Sequence, residues 1–300
     1  MLRILRFGAI SLAILLVVIL AGGAGLYAWS NGELSATVPV PTHEFTAPTG
    51  DSAVARGEHV TKALAMCADC HGDDYGGKVM VADPAIGTIM APNITTGRGG
   101  VLGGMSDADI ERAVRHGVAK EGRRLILMPA NEYQLLSDED MGVIIAYLRT
   151  IPAVDRESAE ITLGPVARAL YLAGKMPWFP SEGVTHRSEV VGSVVADSTL
   201  EYGRYLVTGG CAGCHGPNLS GGAISGAPPD WPHASNITPT GLAAYDYEAF
   251  VKTLTDGVRP DGTTLHPIMP VQATKLMTAV EMTAIWKYLR TVAAAETGVR

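Results

Sequence analysis

Two short stretches carry the residues most able to do chemistry: Cys67-Ala-Asp-Cys70-His71 and Cys211-Ala-Gly-Cys214-His215. Between them they use all four cysteines of the chain. Thiols at i and i+3 leave one helical turn on the same side. They can form thioethers with the two vinyl groups of one porphyrin, and the histidine that follows is then placed under the iron as its proximal ligand. Other uses of paired cysteines fit less well. A disulfide within each pair suits an oxidising compartment but gives the histidines nothing to do. Four-cysteine zinc sites bring their pairs ~15–20 residues apart, whereas 140 residues lie between Cys70 and Cys211. A thioredoxin-like redox pair needs a βαβ setting that the flanking sequence does not supply. The pattern points to two covalently bound haem c groups.

The elements that must position these residues occur twice. A segment of about 100 residues from Asp51 to Val154 matches another from Ala196 to Ala294. Each opens with a short helical stretch containing Gly57 or Gly203, then reaches its Cys-x-x-Cys-His, then a Gly-Gly pair and an Asn-Ile-Thr at 93–95 or 236–238. A helix-like stretch follows and ends in Gly-Val, at 117–118 and 257–258. Met128-Pro129 and Met269-Pro270 come next, and in both copies the methionine stands 19 residues before the Tyr of a closing Tyr-Leu-Arg-Thr. Matching spacings at so many points identify a duplicated domain.

The closing segments read as helices. Ser137 with Asp140 three residues on, and Ser106 with Asp109, have the form of capping boxes. Met141, Ile144, Ile145 and Leu148 form an i, i+3, i+4, i+7 stripe, repeated by Met282, Ile285, Trp286 and Leu289. Little of either copy alternates in the manner of a strand, so the expected fold is all-α with long loops.

These motifs resemble the class I c-type cytochromes, and among them the cytochrome c subunits and partner cytochromes of membrane-bound periplasmic dehydrogenases. The resemblance rests on CHG followed by a Gly-Gly pair, on the Asn-Ile-Thr, on a helix ending before Gly-Val, and on Met-Pro before a last helix ending in Tyr-Leu-Arg. It covers residues 51 to 295, with motifs for two haems where many such subunits carry three. It implies two tandem class I cytochrome c domains, 51–155 and 196–300, separated by a connector, 156–195, whose apolar centre is expected to pack across the domain interface.

Two methionine pairs match between the copies. Met141 and Met282 lie on the apolar stripe of the last helix, where thioethers fill cores well. Met128 and Met269 lie in loops, each followed by proline, as the family's distal ligand does. The resemblance therefore implies His71 with Met128 at one iron and His215 with Met269 at the other, on haems attached through Cys67, Cys70, Cys211 and Cys214. Asn93 and Asn236 are candidates for hydrogen bonds to a haem propionate or beside the ligand methionine; capping of their own turns is the other reading. Gly57 and Gly203 are expected to let the first and last helices of each domain cross against Tyr147 and Tyr288.

The N-terminus is the most apolar part. Arg3 and Arg6 precede a charge-free run from Phe7 to Trp29, long enough to span roughly 30 Å of hydrocarbon. It reads as a transmembrane anchor over 1–30, with a cleaved signal as the alternative; in both cases the arginines stay inside and the rest crosses. Residues 31–50, rich in Pro, Thr and Ser, read as a flexible tether. The formal net charge of −7 argues against a nucleic-acid partner. The expectation is a single-pass protein of a bacterial cytoplasmic membrane with its haem domains on the periplasmic side. It would pass electrons from a periplasmic donor such as a dehydrogenase to an oxidase or other respiratory acceptor, with no catalytic activity of its own. A di-haem peroxidase with one open haem is the competing reading.

Overall fold

The computed structural model describes residues 2–41, 44–186, 192–227 and 230–299. Met1 and Arg300, residues 42–43 of the expected tether and 187–191 of the connector lie outside the described residues. The long helix α1 (Leu2–Ser35) carries the apolar run with its side chains outward. By length and composition it could cross a membrane.

The first repeat builds α2 (Asp51–His59), α3 (Cys67–His71), α4 (Asp107–His116), α5 (Ala130–Tyr133) and α6 (Asp138–Leu148). After α7 (Pro165–Leu172) in the connector, the second repeat gives α8 (Leu200–Leu206), α9 (Ala212–His215), α10 (Tyr247–Asp256), α11 (Val271–Thr274) and α12 (Ala279–Leu289). In each repeat the first helix crosses the last. Gly57 is the crossing point in one: a Cβ there would lie 1.9 Å from the Val143 carbonyl oxygen. At Gly203 it would lie 2.1 Å from that of Ala284. Both also abut the Cβ of the expected tyrosine, Tyr147 or Tyr288. Only a residue without a side chain permits backbones this close. Behind the crossing sit Val60, Met141, Ile144 and Ile145 in one core and Tyr202, Val207, Met282 and Ile285 in the other.

The fold is not purely helical. Lys78–Asp83 (β1) and Gly87–Ala91 (β2) form an antiparallel hairpin in the first repeat, and Thr162–Leu163 (β3) from the connector adds to β2. The hairpin turn is Asp83-Pro-Ala-Ile-Gly87, in which Asp83 Oδ1 accepts from the backbone N–H groups of Ala85 and Ile86. In the second repeat the equivalent stretch retains one bridge, Gly222 with Ala234.

The connector touches both repeats, with Pro177 abutting Gly226 and Val194 packing on the second core. Its apolar centre, Trp178 and Phe179, packs with Ile89, Leu163 and Ala167 against Leu34 near the end of α1, forming a third small core on the sheet. The tether differs from expectation. Residues 31–35 continue α1, Val38 N–H donates to the Gly122 carbonyl at 2.9 Å, and Ala47 N–H donates to Asp107 at 3.0 Å. Phe45 and Ala47 pack onto the first core. Alternating apolar side chains with prolines gave the stretch a face to bury rather than a coil's freedom.

The two repeats meet through equivalent parts. α5 of the first touches the wide turn Val207–Cys211 of the second, and α11 of the second touches the matching turn Val60–Leu64 of the first. Such reciprocity is the mark of a pseudo-two-fold relation.

Candidate functional site

Each attachment turn follows from its helix. α2 and α8 relax into a single wide π turn, Val60–Leu64 and Val207–Cys211, and the chain then re-enters a short helix that carries Cys-x-x-Cys-His. The four thiols are not joined to one another. Burial, then the neighbouring cysteine, pushes Cys67 and Cys211 up to about 12.

The two histidines are held identically. His71 is buried, with Nδ1 2.8 Å from the Pro92 carbonyl oxygen. His215 is buried too, with Nδ1 2.7 Å from that of Ser235. A carbonyl can only accept, so each Nδ1 carries the proton and each Nε2 keeps a free lone pair. This is the arrangement that orients a metal-binding imidazole. Burial lowers both pKa values and the carbonyl bond opposes it only in part, so the rings are neutral near pH 7.

Pro92 and Ser235 stand immediately before Asn93 and Asn236, whose side chains hold that loop. Asn93 Oδ1 accepts from the N–H and hydroxyl of Thr95, and its Nδ2 donates to the carbonyls of Val154 and Arg156. Both lone pairs and both N–H groups are thereby engaged within the protein. Asn236 Oδ1 accepts from Thr238 in the same way, and its Nδ2 donates to the Ala295 carbonyl. The turn-capping contacts are present at both asparagines, and these amides pin the loop whose carbonyl orients the histidine.

Met128 and Met269 are half-buried and lead into matching short helices. Their carbonyls accept from the N–H of Ala130 at 2.7 Å and of Val271 at 2.8 Å. In the first repeat α5 runs from this loop back to the attachment turn, where the Tyr133 hydroxyl donates to the Ala65 carbonyl at 2.5 Å. Met141 and Met282 are core residues, as expected. Met90 lies in β2 with its sulfur taking the Ala159 N–H at 2.9 Å. Of the other histidines, buried His116 pairs with His186, Nδ1 to Nδ1 at 3.1 Å, and His266 accepts from the Ile268 N–H.

Sequence reasoning missed two features at the junction of the repeats. Glu132, on α5, lies against the second attachment turn, where a Cβ at Gly213 would meet its Oε1 at 2.3 Å. Burial raises the Glu132 pKa. Around the helix crossings, Arg56 bonds Asp140 at 3.1 Å and the Tyr202 hydroxyl at 3.3 Å, and approaches Glu281 at 3.5 Å. His59 Nε2 lies 2.8 Å from Glu281, and Tyr205 donates to Asp140 at 2.8 Å. Aligning the repeats places Arg56 with Tyr202, His59 with Tyr205 and Asp140 with Glu281. A polar set repeated on two apolar helix faces was the available signal.

Both repeats match cytochrome c families. Residues 52–148 match the family described as cytochrome c oxidase, cbb3-type, subunit III. Residues 200–293 match the cytochrome c family. The chain is 34% identical over 176 residues to a gluconate 2-dehydrogenase cytochrome c subunit from Pantoea cypripedii, a match covering 56% of this chain and 38% of that protein. It is 28% identical to a cytochrome c subunit of alcohol dehydrogenase (quinone) from Gluconacetobacter polyoxogenes, over 82% of this chain and 57% of that one. With a diheme cytochrome c-type protein from Cereibacter sphaeroides it shares 29% identity over 94% of this chain and 97% of the relative. The chain thus spans about half the length of the dehydrogenase subunits and nearly all of the di-haem relative. It belongs to the di-haem c-type cytochromes: two tandem cytochrome c domains behind an apolar N-terminal helix, each domain implying one haem c.

Proposed function

We propose that the protein is an electron carrier at the outer face of the cytoplasmic membrane, taking electrons from a periplasmic dehydrogenase and delivering them to a respiratory acceptor. The observation that carries this reading is the duplicated proximal site, with each imidazole neutral, pinned through Nδ1 to a backbone carbonyl and free at Nε2. Cys67 and Cys70, and Cys211 and Cys214, would hold the porphyrins, and His71 with Met128 and His215 with Met269 would ligate their irons. When bound, each haem supplies an iron that takes up and releases one electron, and a Met ligand raises its potential relative to a second histidine.

The protein's own part is rigidity. The histidine is fixed by Pro92 or Ser235, that loop is fixed by Asn93 or Asn236, and the methionine loop is closed by a short helix. A ligand set that moves little suits transfer without a substrate. The relatives named as dehydrogenase cytochrome c subunits support a dehydrogenase as the donor. The apolar helix α1 supports attachment at the membrane.

The test is to purify the haem-loaded full chain from membranes and mix the reduced and oxidised forms with candidate partners that co-purify. The expected result is two haems per chain, rapid reduction by the dehydrogenase with its substrate, and rapid oxidation by a membrane oxidase. One haem or none per chain, or ready reduction of peroxide by the protein alone, would overturn the reading.

A further inference from the structure

The anchor helix is bolted to the first domain rather than hung from a loose strand. Arg168 of α7 is buried, and its guanidinium lies 4.3 Å over the Tyr27 ring. It donates to the Ser30 hydroxyl at 2.5 Å, the Asn31 side-chain oxygen at 2.9 Å and the Leu163 carbonyl at 2.8 Å. Arg124, also buried, reaches the carbonyl and carboxylate of Glu33 on one side and Glu182 at 2.7 Å on the other, and it lies 4.1 Å over the Phe179 ring. The side-chain hydrogen bonds that tie α1 to the rest of the chain run to Arg124 of the first domain and Arg168 of the connector.

α7 therefore lies level with residues 27–31, the last turn of the charge-free run. Its one charged residue is Arg168, and that side chain is turned inward. Outward it presents Pro165, Val166 and Ala169, beside exposed Tyr27 and Trp29. Aromatic rings of this kind collect where hydrocarbon meets headgroups. A helix whose outward face carries no charge, lying beside them at the same depth, offers the apolar side of an interfacial element.

We propose that α7 and the end of α1 form one lipid-seated surface that holds the first domain against the phospholipid headgroups. This rests on reading α1 as the membrane anchor. Lipid is the occupant because Arg168 ties α7 to residues 27–31, at the end of the exposed apolar run of α1, where Tyr27, Trp29 and Val166 are all exposed. The Met128 loop follows Arg124 by four residues, and its Leu127 N–H donates to the Trp178 carbonyl at 2.9 Å. The methionine side of the first domain is thus the side nearest the membrane.

The experiment uses the full haem-loaded chain in phosphatidylcholine vesicles, with the haems reduced so that low-spin iron is diamagnetic. Spin labels are placed singly through Val166→Cys and Ala169→Cys, with Leu16→Cys in α1 and Lys252→Cys on α10 as references. Accessibility to oxygen is compared with accessibility to a water-soluble nickel chelate. The expected result is an oxygen preference several-fold higher at 166 and 169 than at 252, and below that at 16. Labels at 166 and 169 that behave like 252 while 16 is lipid-buried would overturn the proposal and leave the anchor intact. A water-exposed label at 16 would overturn the anchor reading itself, and the proposal with it. Labels at 166 and 169 shielded from both reagents would show a second copy of the chain covering this face, which also overturns it.

Discussion

His59 of the first domain binds Glu281 of the second through a single ring nitrogen, 2.8 Å and 2.9 Å from the two carboxylate oxygens. Glu281 is also the third residue of α12 and accepts the Thr278 N–H at 2.8 Å, completing that helix's capping box. One carboxylate thus closes a helix end and the seam between domains. Burial pushes its pKa up, but the bonds from His59 and Thr278 outweigh this and hold it at about 2. A carboxylate held lower in the folded protein than in the unfolded chain stabilises the fold above its unfolded pKa. That stabilisation should be lost as the pH falls from about 4.5 to about 2. Thermal melts across that range should show it, and His59→Ala should flatten the acid dependence while costing ~1–2 kcal/mol at neutral pH.

The helix crossings should tolerate no side chain. Gly57→Ala places a methyl on the Val143 carbonyl and Gly203→Ala on the Ala284 carbonyl. Each should cost ~3 kcal/mol or more, because backbone must move to admit the atom. Denaturant unfolding measures the loss. Haem content by pyridine haemochrome assay should fall in the altered domain first.

Met128→Ala and Met269→Ala should each open one iron to carbon monoxide and cyanide, leaving the other unreactive. Replacement by histidine should instead keep the iron closed and lower that haem's potential. Ligand-binding spectra and redox titration read both. An untouched protein that binds cyanide at one haem and turns over peroxide would replace the carrier reading with the peroxidase.

Glu132 sets a negative charge from the first domain against the attachment turn of the second. A nearby anion stabilises ferric iron, so Glu132→Gln should raise the potential of the second haem and leave the first nearly unchanged. Burial raises the Glu132 pKa, so the charge is present only above that value. The wild-type second potential should therefore fall as the pH rises through it, and the Gln variant should lack that step. Potentiometric titration at several pH values checks this.

Each of these features has a different legibility in sequence. The attachment turns and the core methionines stand at fixed spacings set by local helix geometry, and the duplication printed them twice; the crossing glycines recur too, though ten residues before the first cysteine in one copy and eight in the other. The hairpin was less visible because its strands are short and its third strand comes from the connector, although Asp83-Pro84 and Gly87 did mark its turn. Ser137 and Asp140 show how a local signal can be overridden. The Ser137 hydroxyl caps the Asp140 N–H as its type suggests. The Asp140 carboxylate, however, turns to Arg56 and Tyr205, and Tyr205 receives the Ser137 N–H that the box would have used. The other domain competed for the cap, and no single-segment pattern contains that competitor. The asparagines were ambiguous for a similar reason, since their partners at Val154, Arg156 and Ala295 lie about 60 residues away.

The seam between the domains also bears on self-association. Both halves contribute an acid, Asp140 or Glu281, but only the first contributes bases, Arg56 and His59; the second offers Tyr202 and Tyr205 in their places. Two second domains meeting in the same way would bury Glu281 twice with no cation between them, and buried like charges of that kind repel. A released or swapped second domain therefore has one acceptable mate, a first domain. Covalent linkage in one chain supplies it at high effective concentration. The substitution of two bases by two phenols thus turns a symmetric surface into one that discriminates self from partner.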